Sequence, residues 1–109
     1  MTTIEDQLKA WGDEYKVDSS RMRFNGYLLG GTLMGSAGGF SDGHVEIALH
    51  RKLEGHPFAS RIVLWHEFCH GWTWIDLHRM GHGIEFIKRS LKKPFNWILG
   101  IVPMLIILF

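Results

Sequence analysis

His66, Glu67 and His70, in the run His66-Glu67-Phe68-Cys69-His70, have the types and spacing that metal-dependent hydrolysis requires. Two histidines four apart stand on one face of an α-helix, so both imidazoles reach a single metal ion. A glutamate beside the first can take a proton from a metal-bound water without ligating the metal itself. The chemistry this implies is hydrolysis: zinc lowers the pKa of its water toward ~7, Glu67 accepts the proton, and hydroxide attacks a polarised peptide carbonyl. Three histidine ligands would leave the fourth zinc position open for water or substrate.

The third ligand must come from outside this helix. His78 and His82 are the histidine candidates, and Asp76 and Glu85 the carboxylates. Asp76 lies six residues after His70, where a longer HExxHxxGxxH pattern would put its last histidine, and Thr73 holds the position of its glycine, so that pattern fails. His82 sits between Gly81 and Gly83 at a helix start, where a flexible turn can swing the ring back to the metal, and is favoured over His78. Cys69 points away from the histidine pair at this spacing and reads as a small core residue. His44 and His50 are weaker candidates for oxyanion or substrate contacts.

The elements that must position these groups follow from periodicity. Thr3 to Tyr15 reads as a first helix, with Thr2 or Thr3 as N-cap, Glu5 and Asp6 in its first turn, and an apolar stripe of Ile4, Leu8, Trp11 and Tyr15. Met22 to Leu29 and Thr32 to Phe40 read as β segments rich in glycine; no GxGxxG opens a helix there, so turns, bulges or close backbone approach explain the glycines. His44 to His50 alternates Val45, Ile47 and Leu49 against polar positions and is the clearest strand. It is either an ordinary half-buried strand or, at a sheet edge, one that pairs with an extended substrate. A helix beginning near Phe58 to Ser60 and running to about Trp74 or Leu77 carries the histidine pair, with Ile62, Trp65, Cys69 and Trp72 as its buried stripe.

With 109 residues the chain makes one small domain, and five tryptophans help it to bury a core. A net charge of +1 gives no electrostatic case for nucleic acid, and Lys88-Arg89 with Lys92-Lys93 reads as a solvated helix face. The single cysteine excludes an internal disulfide and a zinc ribbon and suits a reducing, cytoplasmic compartment; the polar N-terminus lacks a signal-peptide core. Residues 97–109, WILGIVPMLIILF, are uncharged and follow Lys92 and Lys93. As a helix they would span only about 20 Å of the ~30 Å hydrocarbon core. They read as a short anchor on the cytoplasmic face of a membrane, as an interfacial segment, or as a cover for an exposed apolar face of the domain.

HEFCH followed by Gly-His-Gly-Ile-Glu-Phe (Gly81 to Phe86) resembles the SprT-like zinc metallopeptidases, over roughly residues 4 to 93. The order of a leading helix, a glycine-rich β pair, a strand such as VEIAL and then the HExxH helix is similar too. The resemblance implies a small zincin-like α+β domain in residues 1–94: an N-terminal helix, a short three-stranded antiparallel or mixed sheet, the active-site helix and a C-terminal helix, with 95–109 as an apolar tail. It implies His66, His70 and His82 as ligands of Zn2+, Glu67 as catalytic base, and Glu85 as a residue that orients a ligand. Protein or peptide would be the substrate. The other class of reading is a structural or membrane-tethered zinc-binding interaction module without proteolytic activity. The cysteine-bearing zinc module that follows many SprT-like domains has no counterpart in this sequence.

Overall fold

The computed structural model describes residues 3–28, 34–93 and 96; the apolar run 97–109 and the segment 29–33 lie outside the described residues. Helix α1 (Ile4–Tyr15) starts where Thr3 and Asp6 cap each other: the Thr3 hydroxyl accepts the Asp6 N–H at 3.1 Å and the Asp6 carboxylate accepts the Thr3 N–H at 3.3 Å. It ends at Lys16 in the left-handed region. Leu8 and Trp11 of the expected stripe are buried, and Ile4 and Tyr15 pack against them at its edges.

Three strands follow: β1 (Met22–Leu28), β2 (Gly35–Gly39) and β3 (Val45–His50), arranged β1-β3-β2 in a mixed sheet. β3 runs parallel to β1 and antiparallel to β2. The register of β1 slips between Phe24 and Tyr27, where Gly26 has φ +104°, so that glycine serves a bulge. Asp42 and Gly43 turn β2 back into β3: Gly43 has φ +91°, and the Asp42 carboxylate accepts the His44 N–H at 3.0 Å.

β3 is the central strand, with a partner along both edges, which corrects the edge placement considered for it; it has no free edge for a substrate. Val45, Ile47 and Leu49 are fully buried on one face, and Ala48 and His50 are buried on the other. Its alternation marks the face toward the helices and says nothing about the edges, because strand pairing is made by backbone groups common to every residue. Among the described residues β2 pairs with β3 alone.

Helix α2 (Pro57–Leu77) begins with proline at its first position and ends at His78 in the left-handed region. The expected stripe of Ile62, Trp65 and Cys69 is buried and Trp72 half-buried, but Leu64, Phe68, Gly71 and Thr73 are buried as well. No residue from Ile62 to Ile75 is exposed. The reason is enclosure on several sides: the helix packs on β2 and β3, on α3 (Ile84–Ser90), and on α1 through Trp11, whose ring lies 5.2 Å from Trp65 and 5.5 Å from Phe68. A helix with core on every side carries no one-sided pattern. Among the described residues no helix is long and apolar enough to cross a membrane.

The glycines of β2 allow the close approach. A Cβ on Gly39 would lie 2.4 Å from the Trp74 ring, and one on Gly35 would lie 2.8 Å from Val63 and 3.1 Å from Cγ of Glu67. A Cβ on Gly38 would meet nothing within 4 Å. Gly39→Ala should therefore destabilise the fold by about 1–3 kcal/mol through overpacking, while Gly38→Ala stays close to wild type. Urea unfolding of the two variants checks this, and equal midpoints would show that β2 does not pack on α2 so tightly.

Candidate metal centre

His66 and His70 project from the middle of α2, half-buried, and the helical spacing puts their ring centroids 4.9 Å apart. His82 arrives from the turn before α3, where Gly81 has φ +103° and Gly83 is the N-cap. Its ring centroid is 5.0 Å from that of His66 and 4.9 Å from that of His70, so the three imidazoles form a nearly equilateral triangle. One ring nitrogen from each lies within 4.8 Å of the others, and the Nε2 atoms of His66 and His82 are 3.1 Å apart. Two nitrogens on one tetrahedral zinc would stand roughly 3.3 Å apart. These three histidines are the described group that could hold a metal ion.

Phe86 closes one side of the triangle. Its ring stacks on His70 at 4.2 Å and meets His66 at 5.0 Å and His82 at 5.1 Å edge-on, and the residue is almost fully buried. Burial, with His82 nearby, pulls the His66 pKa down to about 4, and burial with both neighbouring imidazoles pulls that of His70 down to about 3. Both rings are therefore neutral at pH 7, the form in which imidazole ligates a metal.

Glu67 is 5% exposed and lies beneath Gly35 of β2. Burial pushes its pKa from 4.5 up to about 7. A carboxyl with that pKa is matched to taking and returning protons at neutral pH. Cys69, the neighbour of His70, is fully buried in the core, and burial pushes its thiol up and leaves it inert.

The remaining candidates go elsewhere. His78 caps α2 with its ring against Trp74, 5.4 Å between centroids, and Asp76 accepts from Trp72 Nε1 at 3.1 Å and Arg89 Nη2 at 3.2 Å. Glu85, expected to orient a ligand, directs its carboxylate to Arg89 at 3.5 Å and Lys88 at 3.8 Å, because both cations lie one turn along the same short helix. His44 stacks on Phe40 and contacts Asp42, and the buried His50 accepts the Lys52 N–H at 3.0 Å. Neither belongs to the histidine triangle. Gly35 was not singled out from sequence as a neighbour of Glu67; its one signal is a glycine inside a strand, which marks close approach without saying to what.

Searches of the chain against family models, curated proteins and solved structures found no match.

The geometry separates the two histidine candidates by experiment. His82→Ala should abolish binding of one equivalent of zinc or cobalt, whereas His78→Ala should keep it; titration with a chromophoric competitor reads both, and the reverse result would remove His82 from the site. A second expectation concerns Glu67 in the metal-free protein. Between pH 4.5 and about 7 the folded carboxyl holds a proton that the unfolded chain has released, so stability falls as pH rises through this window. Glu67→Gln lacks that titration, and its stability relative to wild type should rise by on the order of 3 kcal/mol across the window. A difference independent of pH would mean that the carboxyl is solvated.

Proposed function

We propose that the protein is a zinc metallopeptidase of SprT-like type that hydrolyses peptide bonds within protein or peptide substrates. The observation that carries this reading is the convergence of three imidazoles, two of them from a helix that carries the buried Glu67 between them in sequence. His66, His70 and His82 would hold the ion, and their neutral, all-nitrogen donor set suits zinc. Zinc there supplies Lewis-acid activation of water and of the substrate carbonyl.

The chain's own groups do the rest. Glu67 accepts the proton of the attacking water and hands it to the leaving amine. Phe86 fixes the His70 ring by stacking and shields one side of the site from water. β2 passes over Glu67 with an edge that no described strand occupies, and an extended peptide could pair along it. A site that holds zinc only for structure needs no such base, which weighs against the reading as an interaction module. Attachment to the cytoplasmic face of a membrane rests on the apolar sequence of residues 97–109 alone.

The test is cleavage of an unfolded protein such as casein by zinc-loaded wild type and Glu67→Gln at equal metal content. The variant should lose roughly 10²–10⁴-fold in rate. Equal activity of the two, or zinc binding without cleavage by either, would overturn the enzymatic reading.

A further inference from the structure

Between the C-terminal half of α2 and the turn that carries His82 lies a cleft of about 330 Å3. We propose that it receives a bulky apolar side chain of the substrate, adjacent to the bond that is cut; this rests on the metallopeptidase reading above. The cleft adjoins the histidine triangle across Phe86, and none of the three histidines lines it. Phe86 lines it and stacks on His70, Gly81 and Gly83 line it and flank His82, and Thr73 lines it one helical turn after His70. A chain positioned for attack at the triangle therefore has a neighbouring side chain within reach of the cleft.

Its walls set the chemistry. Met80, Ile84 and Phe86 are apolar, and Ile84 at 72% and Met80 at 40% exposure leave hydrocarbon in water that a ligand would cover. Of the polar groups, the Thr73 hydroxyl donates to the Cys69 carbonyl at 2.8 Å and Lys88 and Arg89 draw off the Glu85 carboxylate, which leaves the exposed Arg79 as the charged group in the lining. The volume is at the small end of ligand sites, which run from roughly 300 Å3 upward, and has room for one bulky side chain.

Gly83 offers a way to fill the cleft without strain. Its φ of −74° is open to any residue, and a Cβ there meets nothing within 4 Å. Zinc-loaded wild type, Gly83→Val and Ile84→Gln are compared on quenched peptides that differ at single positions in Leu, Phe, Ala or Gly, with cleavage sites read by mass spectrometry. At one position beside the cut bond, wild type should favour Leu or Phe over Ala by about tenfold or more in kcat/KM. Both variants should lower that ratio at least about fivefold, a readout that a general loss of activity does not move. No preference in wild type, or a ratio unchanged in both variants, overturns the proposal.

If no peptide is cleaved, the metallopeptidase reading fails by itself, and binding still tests the cleft. Leucine hydroxamate should then bind the zinc-loaded wild type about tenfold more tightly than acetohydroxamate, with the gap narrowed in Ile84→Gln. Equal affinities would show that the cleft takes no apolar side chain.

Discussion

The packing of one aromatic side chain between two helices decides where the third imidazole stands. Phe86 lies buried against α2 and touches all three histidines, and with Ser90 it forms the buried face of a helix only seven residues long. So short a helix is not stable alone in water, and its position comes from tertiary contacts. Truncating a buried phenylalanine typically costs about 3–5 kcal/mol. Here the same contact that anchors α3 brings the His82 turn to α2, so stability and site geometry share one residue.

Further contacts hold α3 in register. The Trp65 indole donates to the Ser90 carbonyl at 3.0 Å in the core, and Arg89 lies over the Trp72 ring while pairing with Asp76. Lys93 continues the attachment to α1 by pairing with Glu14 at 3.2 Å and lying over the Tyr15 and Trp65 rings. These partners come from α1 and α2, so the His82 turn is bounded on the far side by a helix tied to both. A glycine turn thus carries His82 on a fixed base.

The second constraint is that α2 is at once the centre of the core and the floor of the site. Burying Glu67 and two histidines in an apolar surround opposes folding, since each prefers water when charged. The consequence is that the imidazoles are held neutral and the carboxyl holds its proton to about pH 7. Local inconsistency of this kind, polar groups inside a core helix, is characteristic of positions kept for chemistry.

The sequence by itself determined the elements with strong local signals. A threonine N-cap, Thr2 or Thr3, with Glu5 and Asp6 in the first turn marked the start of α1, the alternation of Val45, Ile47 and Leu49 marked β3, and the spacing of His66 and His70 placed both rings on one helical face, because each of these depends only on backbone geometry within a few residues. The α+β class followed from their order. The glycines beside His82 favoured it over His78, and the tertiary structure brought its ring to the pair; only the tertiary structure decided that β3 is central, that α2 is enclosed on several sides, and that Glu85 turns to Arg89 and Lys88. Those outcomes depend on contacts between residues distant along the chain, such as Phe86 with His70 and Trp65 with Ser90, and no local period encodes a partner that lies beyond a turn.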